Sequence, residues 1–116
     1  MRTSTIVVVA LIVLASTVVR VNAGSGSTAA QKCEAAKLKA VARKTSAKLS
    51  CEAKAVLKGV AVDPTCLSKA ETAFAGAFKK AEAKGGCAST GNAAAIESQV
   101  DSFVTNAQNC IEAHCG

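Results

Sequence analysis

Six cysteines constrain the fold of this 116-residue chain more than any other feature, because pairing them fixes which segments are neighbours. All six follow residue 32. An even number of cysteines in a short chain is typical of exported proteins that are held together by disulfides. Six cysteines allow many connectivities, so the predicted helices have to narrow the choice. The cysteines are Cys33, Cys51, Cys66, Cys87, Cys110 and Cys115.

The N-terminal segment 1–23 has the pattern of an export signal. Arg2 precedes a mostly apolar run from Ile6 to Val19, and Val21-Asn22-Ala23 supplies small or short residues before a cleavage point. A membrane anchor is the alternative interpretation, but a spanning helix needs about 20 apolar residues and this run is shorter. We therefore expect a signal peptide over 1–23, and a secreted, periplasmic or extracellular product with no transmembrane span.

The remaining chain, 24–116, is expected to form a single domain with little material for a core. Alanine is its commonest residue, and it outnumbers Leu, Val, Ile and Phe taken together. Alanine favours helix but buries little area, and a chain of this size buries only about 60–65% of its unfolded surface. Disulfides are therefore expected to supply stability that the core lacks, on the order of 2–4 kcal/mol each.

Helix start and stop residues predict three helices. Asp63 followed by Pro64 is a strong helix start, and Gly85-Gly86 provides a left-handed stop. The segments run from about Thr28 to Lys58, from Pro64 to Lys84, and from Thr90 or Asn92 to about Ala113. No segment alternates with a period of two, so we predict an all-α fold: a small, disulfide-stapled three-helix bundle built on an antiparallel helical hairpin.

Helix geometry favours particular cysteine pairs. Cys33 and Cys51 are separated in sequence by a whole number of helical turns, and so share one edge of the first helix. A turn at 59–63 makes the first two helices antiparallel neighbours. This arrangement pairs Cys51 with Cys66 near the turn and Cys33 with Cys87 at the open end. Cys110 is then left to pair with Cys115, although it is also able to reach Cys66 across the bundle.

Apolar spacing assigns faces to the three helices. On the first helix, Ala40 and Ala47 lie near the cysteine edge, and a bulkier stripe is expected to meet the third helix. That stripe comprises Leu38, Val41, Ala42, Leu49, Ala53 and Val56. The second helix presents Leu67, Ala70, Phe74, Phe78 and Ala81, and the third presents Ile96, Val100, Phe103, Val104, Ala107 and Ile111.

Five segments carry a resemblance. They are Cys-Glu-Ala-Ala-Lys from Cys33, Cys-Glu-Ala-Lys-Ala from Cys51, Val-Asp-Pro-Thr-Cys from Val62, Phe-Lys-Lys-Ala-Glu-Ala-Lys-Gly-Gly-Cys from Phe78 and Ala-Ile-Glu-Ser-Gln-Val from Ala95. Over roughly residues 32–105 the chain is similar to uncharacterised exported Ala/Lys-rich, cysteine-containing helical modules of bacteria. The resemblance implies export and a shared helical unit with four cysteines, to which Cys110 and Cys115 are an addition. It implies no catalytic or binding residue.

Candidate chemistry is sparse. The single histidine, His114, forms a Cys-x3-His-Cys cluster with Cys110 and Cys115 that has metal-ligand spacing, but an oxidising compartment favours a disulfide there. Nucleophilic catalysis needs a positioned base. His114 lies two residues from the C-terminus, where a side chain is not expected to be held in place. The eight carboxylates are scattered. We therefore expect no enzymatic activity, no cofactor and no metal.

Charge suggests a binding surface on the first helix. We predict a basic face made of Lys37, Arg43, Lys44, Lys48, Lys54 and Lys58. Such a face attracts anionic envelope or extracellular surfaces; nucleic acid is a poor fit, because no Trp or Tyr is present to stack on bases. The sequence favours a non-enzymatic structural or interaction module. A cationic membrane-active, antimicrobial-type protein and a carrier of a small apolar ligand are the alternatives.

Overall fold

The structure, a computed structural model, describes residues 26–113 and Cys115. Three helices make up this part: α1 (Ala29–Lys58), α2 (Pro64–Ala83) and α3 (Ala93–Ala113). Residues 26–113 contain no strand, so the all-α three-helix prediction is confirmed. The predicted signal peptide over 1–23 lies outside the described residues.

Local capping explains where the helices begin and end. Thr28 caps α1 with a capping box, in which its hydroxyl accepts a hydrogen bond from the Gln31 amide and the Gln31 side chain accepts one from the Thr28 amide. Gly59 ends α1 in the left-handed conformation with φ of 64°. Asp63 caps α2 by accepting a hydrogen bond from the Thr65 amide at 2.9 Å.

Disulfides close the α1–α2 hairpin at both ends. Cys51 pairs with Cys66 beside the turn, with Cα atoms 5.9 Å apart, and Cys33 pairs with Cys87 at the open end, with Cα atoms 5.3 Å apart. The third pair, Cys110 with Cys115, stays at the end of α3. The first two pairs are those that the hairpin geometry predicts, and the third is the pair that was left once these two were assigned. The hairpin is therefore cross-linked twice, whereas none of the six cysteines, all of which the structure describes, joins α3 to it.

A small aromatic core lies where the three helices meet. Ala40, Phe74 and Phe78 form its buried centre, with Val41, Ala77, Ala93 and Ile96 packed around them. The rings of Phe74 and Phe78 lie with centroids 4.6 Å apart, a distance typical of favourable aromatic pairs. Val100 and Val104 continue the buried side of α3, which packs mainly on α1.

The prediction that the bulky stripe of α1 faces the third helix is wrong. Leu38 is 61% exposed and Val56 is 66% exposed, and of the predicted stripe only Val41 packs on the core. The residues that face inward are instead Cys33, Lys37, Ala40, Lys44, Cys51 and Ala55. The reason is covalent: two disulfides on one edge fix the rotation of α1, and the residues at helical spacing from those cysteines include lysines. On α3, Phe103 and Ile111 are exposed, contrary to the predicted stripe.

Candidate functional site

A buried lysine network occupies the junction of the three helices. Lys44 is 1% exposed, and its Nζ contacts Glu71 at 2.6 Å, Glu97 at 2.8 Å and Asp101 at 3.3 Å. Glu71 belongs to α2, and the other two acids belong to α3. A single ammonium group on α1 therefore binds both neighbouring helices, and it satisfies the rule that a buried charge needs a partner.

Two further lysines of α1, Lys37 and Lys48, make ion pairs on either side of Lys44, and the ion pairs of these three lysines are called the internal network below. Lys48 Nζ donates to Glu71 Oε1 at 2.7 Å and also pairs with Asp101. On the N-terminal side of Lys44, Lys37 pairs with Glu82 at 2.8 Å and donates to the Ser89 carbonyl at 2.7 Å. These three lysines join α1 to α2, to α3 and to the loop between them.

The core phenylalanines support the lysine ammonium groups. Lys44 Nζ lies 4.8 Å from the centroid of the Phe74 ring, and Lys37 Nζ lies 5.2 Å from that of Phe78. Both distances fall within the range of cation–π attraction. The ring faces therefore contribute to holding charges that the surrounding alanines cannot solvate.

The ion pairs favour the charged forms of Lys44, Lys48 and Glu71. Burial alone would lower the pKa of Lys44, but its hydrogen bonds to the three carboxylates outweigh burial and raise that pKa. Burial would likewise raise the pKa of Glu71, but its contacts with Glu97 and with the ammonium groups of Lys44 and Lys48 lower the pKa to about 2. A lysine held charged is a poor nucleophile or base, so these groups stabilise the packing of the helices.

We expect acid to weaken the bundle as the pH falls from about 5 to about 2. The Glu71 carboxyl has a pKa of about 2 in the folded protein against an ordinary value of 4.5, so the unfolded chain takes up this proton first and stability falls with pH. The pKa of Glu82 is also lowered, by its hydrogen bond from Lys37. Urea midpoints measured at pH 6, 4, 3 and 2 check this, with a Glu71→Gln variant expected to show a shallower decline. Midpoints that stay level down to pH 2 would contradict it.

The predicted basic face divides into two groups. Lys37, Lys44 and Lys48 belong to the internal network and are not available to a partner. Arg43, Lys54 and Lys58 are exposed, as the prediction requires. The physical reason is again the rotation of α1, which turns one part of the lysine pattern inward and leaves the other part on the side next to α2.

Arg43, Lys54 and Lys58 line a groove of about 650 Å³ between α1 and α2. Its lining includes Ala47, Ala73 and Ala77 and the paired cysteines of the turn end. Lys69 of α2 joins the lining from the opposite side. The groove is therefore apolar along its floor and carries cations on both edges.

Other cations continue this surface at helical spacing. Lys32, Lys39 and Arg43 follow one another on α1 at steps of seven and four, and Lys69, Lys80 and Lys84 follow one another along α2 and its C-cap at steps of eleven and four. Each of these steps returns to the same helix face. The name "cationic face" is used below for eight residues: Lys32, Lys39, Arg43, Lys54, Lys58, Lys69, Lys80 and Lys84. Sequence reasoning missed Lys32 and Lys39 of α1 as well as the three members on α2 and its C-cap, although the repeat of Lys-Ala-Glu from Lys69 at Lys80 carries the signal of the α2 members.

The acids lie elsewhere. Glu34 and Glu52 each lie two residues after a position of α1 that is aligned with the cationic face. Two residues correspond to just over half a helical turn, so both side chains lie on the other side of α1. Asp63 lines the groove but is engaged as the N-cap of α2. α3 contains acids but no Lys or Arg. The two sides of the molecule therefore differ in charge.

The other candidate features add no second site in the described residues. His114, the centre of the Cys-x3-His-Cys motif, lies outside them, and in residues 26–113 with Cys115 no three His, Cys, Asp or Glu side chains are arranged so that they could hold a metal ion. Across the same part of the chain, no helix combines the length and the hydropathy that a bilayer span requires.

Known protein families, curated proteins and solved structures yield no match to this chain. The site therefore has to be interpreted from its own geometry and charge.

Proposed function

We propose that this protein is an exported, non-enzymatic binding module whose cationic face binds a negatively charged partner in the cell envelope or outside the cell. The observation that carries the proposal is the groove of the α1–α2 hairpin, which four cations line and which four more continue at helical spacing. Export is supported by the signal-peptide pattern over 1–23, by the even number of cysteines and by the resemblance to exported bacterial modules.

The internal network strengthens the argument because it removes half of the eight acids from the competition for these cations. Lys37, Lys44 and Lys48 pair with Glu71, Glu82, Glu97 and Asp101. Outside that network, the sequence from 26 to 116 contains nine Lys or Arg and four acids. Eight of the nine belong to the cationic face, so the positive potential is concentrated on one side and attracts anions over about a Debye length.

The shape of the groove favours surface contact over an enclosed ligand. It is open to solvent, its floor is mainly alanine, and its cations stand on both edges. A carrier for a small apolar molecule usually buries most of its ligand in a concave pocket. An extended anionic surface, by contrast, is able to contact both rows of cations at once.

Reversing one charge in the groove tests the proposal. We expect Lys69→Glu to lower the salt concentration that elutes the protein from an immobilised sulfated polysaccharide more than Lys79→Glu does. Both lysines are exposed on α2, and both variants change the net charge equally, but only Lys69 lines the groove. The measurement is the elution position in a salt gradient. Equal shifts for the two variants, or no retention of the unmodified protein, would contradict a specific cationic face.

A further inference from the structure

Three large aliphatic side chains stand exposed where the α1–α2 hairpin turns. Leu57 is 87% exposed, Val56 is 66% exposed and Val60 is 60% exposed. We refer to these three residues as the hairpin tip. They are among the most exposed large apolar residues of the described chain, although the core has few large apolar side chains. The three residues lie within five positions of the sequence, and a concentration of exposed large apolar side chains indicates an interaction site.

The exposure of the hairpin tip is fixed by the fold. The amide of Gly59 donates to the end of α1, and the amide of Val60 donates to the Ala55 carbonyl at 3.1 Å, which closes the helix as a Schellman turn. The Cys51–Cys66 disulfide then ties the last turns of α1 to the start of α2. The backbone of the hairpin tip is therefore fixed by these hydrogen bonds and by the disulfide. Its side chains cannot move into the core without breaking them.

Cations surround the hairpin tip. Lys58 follows Leu57 directly, Lys54 lies one turn earlier on α1, and Lys69 lies across the groove on α2. All three line the groove together with Val60 and Ala61. Exposed apolar side chains next to a row of lysines match an interface that is negatively charged at its surface and apolar beneath it. A membrane that contains anionic lipids has this layering.

We infer that the hairpin tip inserts into the interfacial region of an anionic lipid bilayer, while Lys54, Lys58 and Lys69 contact the phosphate headgroups. The inference rests on the proposed function, because it places the partner of the cationic face in a membrane surface. The turn end of the hairpin is then the part of the bundle that contacts the bilayer.

α3 runs parallel to α1, because Lys37 is next to Asn92 and Lys48 is next to Asp101. Ile111, also exposed, is therefore at that same end.

A single tryptophan at the tip provides a direct test, since the chain contains no Trp or Tyr. The Leu57→Trp and Leu38→Trp variants are to be titrated with vesicles of phosphatidylglycerol and phosphatidylcholine, and with vesicles of phosphatidylcholine alone. Leu38 is the matched control, because it is also a leucine of α1 with most of its surface exposed but lies about five turns away from Leu57.

We expect the indole emission of the Leu57→Trp variant to shift to the blue only with the anionic vesicles, and brominated lipid to quench it. The emission of the Leu38→Trp variant is expected to stay unchanged. A Leu57→Ser variant should bind the anionic vesicles on the order of tenfold more weakly, because it withdraws one large aliphatic side chain from the bilayer, whereas Leu38→Ser should bind unchanged.

Two outcomes would overturn the inference. In one, the protein binds the sulfated polysaccharide but Leu57→Trp shows no shift with anionic vesicles; the cationic face then stands and its partner is not a membrane. In the other, Leu38→Trp shifts as much as Leu57→Trp, or Leu57→Trp shifts with rising protein concentration alone, which indicates non-specific adsorption or a second copy on the tip. Failure of the unmodified protein to bind the sulfated polysaccharide is a different result, and it contradicts the proposed function itself.

Discussion

Replacing Cys33 and Cys87 together by serine is expected to lower the free energy of unfolding by about 4 kcal/mol. This disulfide closes a loop with a sequence separation of 54 residues, and the entropy that a cross-link removes from the unfolded chain grows with loop length. The effect is large for a chain of this size, because small domains are stable by only about 5–15 kcal/mol. Urea unfolding followed by circular dichroism in the far ultraviolet measures it.

The other two disulfides provide an internal comparison. The Cys51–Cys66 pair has a sequence separation of 15 and the Cys110–Cys115 pair a separation of 5, so their double-serine variants should lose about 3 and about 2 kcal/mol. The expected order of destabilisation therefore follows loop length. A Cys33→Ser/Cys87→Ser variant as stable as the unmodified protein would show that the core holds the hairpin without help from this cross-link.

Replacing Lys44 by methionine is expected to cost about 3 kcal/mol of stability. Methionine fills a similar volume, but it leaves Glu71, Glu97 and Asp101 clustered around an uncharged side chain, with only Lys48 to compensate. The value lies at the lower end of the range for breaking a buried ion pair, because these carboxylates remain between 33% and 40% exposed to water. The measurement is again the urea unfolding free energy.

A matched variant separates this effect from a general loss of positive charge. Arg43→Met removes a cation from the neighbouring, exposed position of α1 and should change stability by no more than about 0.5 kcal/mol. Adding Glu97→Gln and Asp101→Asn to Lys44→Met should recover part of the loss, since it removes the repulsion between carboxylates. Similar losses in Arg43→Met and Lys44→Met would mean that Lys44 is no more than a surface charge.

The helix bounds were predictable from short-range signals, and the two hairpin disulfides were predictable from the turn that makes α1 and α2 antiparallel neighbours. Thr28, Asp63 with Pro64, and the glycines after α1 and α2 act within one turn of the chain, so the helix bounds follow from local chemistry. The cysteine pairs follow from a hairpin turn and from the whole-turn spacing of Cys33 and Cys51. Neither inference needs the rotation of one helix against another.

The inward face of α1 was not predictable in the same way. A lysine at helical spacing is normally a solvated surface residue, and leucine and valine are normally buried, so Leu38 and Lys44 were assigned to the wrong faces. The structure reverses this rule because the cysteine edge fixes the rotation, and because α2 and α3 supply the acids that Lys44 needs. Those acids belong to other helices, many turns away along the sequence, too far for any local pattern to connect them.

The double cross-link also governs what a break in the backbone would do. The turn over residues 59–63 lies inside both loops, between Cys51 and Cys66 and between Cys33 and Cys87. A protease that cuts this turn leaves two polypeptide fragments that remain tethered at both ends of the hairpin. Nicked molecules would keep both rows of lysines in register, so the cationic face has a covalent continuity that does not depend on an intact main chain.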